Sequence, residues 1–149
     1  MNRVLDLISK LRQQFPRVSG ASQDKVADFE RRFGVSVPND LRTFLRAIDG
    51  TAGEWDDQYL TWWAVDRIKP VHDELVDYLP DRDLFPACFV FADYMDSSWL
   101  FAIQLGGERE QIGRVFLVAV DGTRKPSIAP SFGKFLDLYF SDDRGMYPI

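Results

Sequence analysis

Residues 33–50 read Phe33-Gly34-Val35-Ser36-Val37-Pro38-Asn39-Asp40-Leu41-Arg42-Thr43-Phe44-Leu45-Arg46-Ala47-Ile48-Asp49-Gly50. Leu41, Phe44, Leu45 and Ile48 recur at i, i+3, i+4 and i+7, the stripe through which a helix buries one face. Arg42 and Arg46 lie four apart on another face. Pro38 pre-sets φ for the first turn, and Asn39 or Asp40 can cap it or face the positive end of its dipole. Asp49-Gly50 stops the helix. Gly34 is placed as the residue just past an earlier helix, where a positive φ is needed. Val35-Ser36-Val37 is then a short extended link. The stretch is thus a helix end, a link and a second helix.

Working outward toward the N-terminus, Val4, Leu5, Ile8 and Leu11 keep helical spacing with Leu7 beside them, and Phe15-Pro16 ends that helix. Ser22 is a good N-cap, with Asp24 in the first turn. Val26, Phe29 and Phe33 then form one buried side. In the other direction, residues 51–58 are a polar loop carrying Trp55. Residues 59–65 read as a strand, and 70–79 as a short helix with Val71, Leu75 and Leu79 on one side, closed by Pro80. Pro86 leads into a strand at 87–92. Tyr94-Met95-Asp96-Ser97 turns the chain, and Trp99, Phe101, Ile103 and Leu105 alternate as the second strand of a hairpin. Residues 115–120 are apolar on both faces, which predicts a central strand. Asp121-Gly122 turns the chain again. Ser131 caps a last helix with Phe132, Phe135, Leu136 and Tyr139 on one face, and 141–149 read as a tail. Segregated helices and consecutive strands predict the α+β class. The expected arrangement is a single domain over 1–149, its N-terminal helices packed on a mainly antiparallel sheet with a C-terminal helix.

The length, 149 residues, suits one domain able to bury a core without staples. Hydrophobic residues make up 46% and charged residues 28%, a globular balance rather than a disordered one. Cys88 is the only cysteine, so it forms no internal disulfide, and its run Ala87-Cys88-Phe89-Val90-Phe91 reads as core. A reducing compartment fits. The opening MNRVLDLISKLRQQF lacks the apolar run and cleavage site of a signal peptide, and no stretch is long enough to span a bilayer. A cytoplasmic protein is expected. The net charge of −5 is unevenly spread. Residues 1–53 hold 9 Lys/Arg and 6 Asp/Glu, residues 54–105 hold 3 and 11, and residues 106–149 hold 6 of each. An acidic middle repels nucleic-acid phosphates and attracts basic partners. Its plainer reading is a solvated face that aids solubility.

Catalytic constellations are sparse. His72 is the only histidine, and one histidine with no Cys/His cluster makes no metal site. A Cys88–His72 pair would need an exposed thiol, whereas Cys88 reads as core. Glu54, Asp56, Asp57, Asp73, Glu74, Asp93 and Asp96 supply carboxylates, but acid/base work needs two of them facing one another with split pKa values. EF-hand spacing is absent. Gly106-Gly107 lacks the context of a phosphate loop and reads as a turn. The aromatics say more. Trp55 lies among acids in a loop, Tyr94 lies beside Asp93 and Asp96, and Trp62-Trp63 must point to opposite faces of a strand. One of that pair can be core, leaving the other for a partner, solvent or a covering helix. Trp and Tyr ringed by acids suit a surface that grips Arg or Lys side chains.

The stretch at 33–50 resembles the leading motif of the SUKH superfamily, which includes bacterial toxin-immunity proteins and a fungal regulator of cell-wall assembly. Phe89 to Asp93, Gly113 to Phe116 and Ser131-Phe132-Gly133-Lys134-Phe135-Leu136 fit its later motifs in order, so the likeness runs from about Gln23 to Phe140. Asp49 stands where that pattern usually has Asn. Asp96-Ser97-Ser98 stands where glycines are frequent, and 51–63 has no counterpart in it.

The resemblance implies an immunity protein without catalytic activity or cofactor, which binds and neutralises a toxin domain, often a nuclease. Glu54, Asp56, Asp57, Asp93 and Asp96 are expected to complement a basic cleft, with Trp55 and Tyr94 as anchors and Trp62 as a further contact. A scaffold or regulator unrelated to toxins is the alternative, and a hydrolase using carboxylates around a metal is a third. Neither a nucleic-acid nor a membrane partner is expected.

Overall fold

The computed structural model describes residues 2–75, 87–119, 121 and 127–141. The expected helix end at Leu79-Pro80, the lead-in at Pro86, the turn residue Gly122 and residues 142–149 of the tail lie outside the described residues.

Three helices come first: α1 (Asn2–Gln14), α2 (Gln23–Phe33) and α3 (Asn39–Ala47). In α1 the buried stripe is Val4, Leu7, Ile8 and Leu11, whereas Leu5 is exposed. Leu7, not Leu5, completes the i, i+3, i+4, i+7 pattern, so the expected membership of Leu5 is corrected by geometry alone. Ser22 caps α2 through a hydrogen bond from Lys25 N, and Gly34 closes it at φ 66°. The link 34–38 is held by Glu30, whose Oε2 accepts from Val37 N and from the Arg42 guanidinium, both at 2.7 Å. Partial burial pushes the Glu30 carboxyl up, but these two donors outweigh it and hold it below the ordinary carboxylate value. One carboxylate therefore joins α2 to α3 across the link. α3 ends before Asp49-Gly50, because Ile48 is already extended (φ −135°, ψ 109°). Asp49 and Gly50 instead serve the next junction. Asp49 Oδ1 accepts from Val65 N at 2.8 Å, and Thr51 N donates to Trp62 O at 2.9 Å.

The sheet contains β1 (Leu60–Trp62), β2 (Lys69–Pro70), β3 (Cys88–Tyr94), β4 (Trp99–Gln104) and β5 (Val115–Ala119). All pairings are antiparallel. The order is β1-β3-β4-β5, with β2 also against β3. β1 is shorter than the strand expected at 59–65. Tyr59 turns away at φ 67°, and beyond Trp63 the amides of Arg67 and Ile68 donate to Ala64 O. Among the described strands β5 ends the order, with only a bridge from Val115 to Ala129 beyond it, and is not the central strand the sequence suggested. Its apolar faces are both covered, and coverage above and below does not fix position within the sheet. A one-turn helix, α4 (Val71–Glu74), follows β2.

The last helix, α5 (Phe132–Phe140), is capped by Ser131 and by Asp40, whose Oδ2 accepts from Gly133 N at 2.9 Å. Phe132, Phe135, Leu136 and Tyr139 are buried as the periodicity predicts. With Phe44, Trp62 and Phe91 its rings form the aromatic centre of the core, mostly edge-on and tilted contacts at 5.3–6.4 Å. The register of β3 shifts between Val90 and Ala92, at Phe91. None of the described helices is long and apolar enough to cross a membrane. The fold is α+β, with helices and an antiparallel sheet sharing one continuous core.

Candidate functional site

Trp62 and Trp63 are both about 1% exposed. Both are packed into the core, so Trp62, expected as a further partner contact, presents no contact surface. Period-2 geometry still separates them, because their surroundings differ. Trp62 lies among Phe44, Phe91, Phe132, Phe135 and Tyr139, while Trp63 carries the Arg67 guanidinium 4.0 Å from its ring centroid. Each indole N–H needs an acceptor once buried, and each has its own aspartate. Trp62 Nε1 donates to Asp56 Oδ2 at 3.0 Å, and Trp63 Nε1 to Asp93 Oδ2 at 2.7 Å.

Those aspartates were expected on the surface and are not there. Asp56 is 5% exposed and Asp93 2%. Asp56 Oδ1 accepts from Gln58 N and Leu60 N, and its Oδ2 takes the Tyr139 hydroxyl beside the indole. Four donors fill the lone-pair positions of one carboxylate, so Asp56 is committed to holding the loop against α5. Tyr139 in turn accepts from Lys10 Nζ at 2.6 Å, and the same ammonium meets Asp57 Oδ1 at 2.6 Å. Asp93 accepts from Ser97 N at 3.0 Å and faces Arg67 Nη2 at 3.7 Å. Lys10 and Arg67 were not among the residues expected at the site, and Tyr139 was expected only as part of the buried face of the last helix. The available signal was that a buried indole demands an acceptor, and this could have withdrawn two aspartates from the surface set.

The remaining expected residues fall around one exposed patch. Trp55, Tyr59 and Met95 are 40%, 51% and 43% exposed. Trp55 meets Tyr59 edge-on at 5.7 Å, Tyr59 O accepts from Met95 N at 3.0 Å, and Trp55 Nε1 donates to Asp96 Oδ1 at 2.8 Å. The 54–59 loop and the β3–β4 turn therefore form one surface, and Glu54, Asp57 and Asp96 are exposed on these two segments. Tyr94 is half-buried and packs against the core edge. Tyr59 and Met95 were missed, because nothing in a turn tetrapeptide or a strand-like run shows which ring or thioether faces out.

The backbone beneath this patch is unusual. Met95, Asp96 and Ser97 all have positive φ (50°, 55° and 66°), as does Tyr59. Asp96 and Ser97 are two of the three positions at which the resemblance led glycine to be expected. Non-glycine residues pay about 1–2 kcal/mol each in that region, and here the turn is held by Asp93, by Tyr59 O and by Ser98 N and Oγ donating to Met95 O.

The other chemical candidates stay apart. Cys88 is buried in β3, and His72 Nε2 lies 3.2 Å from Asp73 Oδ1 on α4. Among the described residues no three His, Cys, Asp or Glu side chains gather closely enough to hold a metal ion. A comparison with curated proteins finds no match. A family model described as SMI1 / KNR4 family (SUKH-1) matches residues 20–138, from just before α2 into α5, and the chain belongs to that family.

Proposed function

We propose that this chain is a non-catalytic protein-binding domain, an immunity protein of the cytoplasm that binds and neutralises a basic toxin domain. One observation carries the reading: in a SUKH-1 chain, Trp55, Tyr59 and Met95 stand exposed on the two adjoining segments that also carry the exposed Glu54, Asp57 and Asp96. Large rings with an acidic rim offer apolar contact and cation–π attraction at the centre and charge pairing at the edge. The strained turn supports it, because backbone strain persists where a particular surface shape is needed. The contact set is Glu54, Trp55, Asp57, Tyr94 and Asp96, joined by Tyr59 and Met95. Asp56, Trp62 and Asp93 hold that set in place from inside.

The test is co-expression with toxin genes encoded beside this one. Wild-type protein restores growth against its cognate toxin, and Trp55→Ala loses the rescue while remaining folded. If no neighbouring toxin is rescued, the immunity reading is wrong, and a scaffold role unconnected with toxins takes its place.

A further inference from the structure

We propose that the groove running from α2 along the 64–69 segment to residues 17–19 and 49–53 is a second docking site, for an extended acidic segment of a partner protein with apolar residues between its carboxylates. Three adjoining hollows of about 280, 390 and 450 Å³ run along it. The first two share Arg32, Phe33, Asp66 and Ile68, and the second and third share Ala64 and Arg67, so they form a row. A row of open hollows suits an extended chain rather than a compact ligand. Phe29, Val65 and Ile68, each less than a tenth exposed, lie under one end, which is the more polar, and Ala64 and Trp63 lie under the more apolar other end.

The charge along this row is opposite to that of the patch around Trp55. Arg17, Lys25, Arg32, Arg67 and Lys69 line it. The carboxylates among them are already answered from within the protein. Lys25 Nζ lies 3.4 Å from Asp66 and 3.6 Å from Asp49, and Arg31 pairs with Asp28. Asp66 and then Asp49 hold the Lys25 ammonium above its ordinary pKa. Lys69 and Arg67 face Glu74 and Asp93. Among the described residues Arg17 and Arg32 have no carboxylate partner, and Arg32 lies 5.0 Å over the Phe33 ring. Two unanswered guanidiniums at separate points of the groove fit carboxylates spaced along a chain, because each can take a bidentate pair. The surface around Trp55 shares no residue with this groove, so the two docking events are separable.

The experiment is fluorescence anisotropy on the full chain. The probe is a fluorescein-labelled peptide of Glu with Leu at every third position, set against its Lys counterpart and a labelled single-stranded oligonucleotide. Saturable binding of the Glu peptide is expected, weakening as salt rises, with no binding of the Lys peptide. The double variant R17E/R32E changes two exposed side chains without ion-pair partners, so its fold is retained, and it binds the Glu peptide roughly tenfold more weakly. Its toxin rescue is unchanged, which separates failure here from failure of the immunity reading. Absence of saturable Glu-peptide binding, an unchanged affinity in R17E/R32E, or tighter binding of the oligonucleotide overturns the proposal.

Discussion

A tryptophan buried in a core brings one N–H that must be answered, and here two adjacent tryptophans are answered by two aspartates from different parts of the chain. Asp56 lies six residues before Trp62 and Asp93 thirty after Trp63. Replacing Asp56 removes the acceptor for the Trp62 indole, the Tyr139 hydroxyl and two backbone amides at once. Asp56→Ala is therefore expected to cost about 3–5 kcal/mol, read as a lower urea midpoint at unchanged m. Asp56→Asn loses less, since Oδ1 survives. Trp55→Ala, by contrast, stays within about 0.5 kcal/mol of wild type, because that ring is exposed. Equal losses in Asp56→Ala and Trp55→Ala would contradict the division between structural and contact residues. The sequence shows Asp56 and Asp57 as equivalent neighbours. Only the fold tells them apart, sending one under α5 to Tyr139 and the other out to Lys10. Charge and residue type are local properties, whereas burial of a carboxylate depends on partners brought from far along the chain.

Among the elements, helix faces and caps were the most legible. Ser22, Gly34 and Ser131 act where their side chains and backbone preferences place them, since capping depends on residues within one turn, whereas Pro38 stands at the N-cap of α3 itself with no side-chain capping bond. The extent of β1 and the place of β5 were not legible, because strand pairing is set by non-local neighbours. The two glycines of the opening stretch make the distinction measurable. Gly34 (φ 66°) has nothing within 4 Å of where a Cβ would stand, so Gly34→Ala bears only the left-handed backbone cost of about 1 kcal/mol. Gly50 (φ 77°) has the same conformational demand, but its Cβ would lie 2.5 Å from Ala64 N and 2.9 Å from Trp62 O. Gly50→Ala must push β1 off the α3 exit, breaking the Thr51–Trp62 bonds, and should lose 3 kcal/mol or more by a rough sum of strain and lost hydrogen bonds. Thermal unfolding of the two variants side by side reads the difference. If they cost the same, the close approach at Gly50 is not what requires glycine.

For the whole molecule, the sheet and α5 fix where charge can face outward. The acidic middle of the sequence is less uniform in space than its composition implies, since Asp56 and Asp93 are withdrawn while Glu54, Asp57 and Asp96 remain exposed on the two segments that form the Trp55 surface. Rim charges and a central ring have different kinetic roles. Charges act at long range and steer encounter, whereas a desolvated ring acts only after contact. With a toxin domain identified by rescue, the charge-reversed E54K is expected to lower the association rate severalfold at low salt and to reduce its salt dependence, leaving dissociation nearly unchanged. Trp55→Ala should do the reverse, raising the dissociation rate by roughly tenfold to a hundredfold with little change in association. Surface plasmon resonance across a salt series separates the two. An association rate in E54K identical to wild type at every salt concentration would mean that the acidic rim plays no part in capture. The aromatic patch would then have to recognise its partner through apolar contact alone.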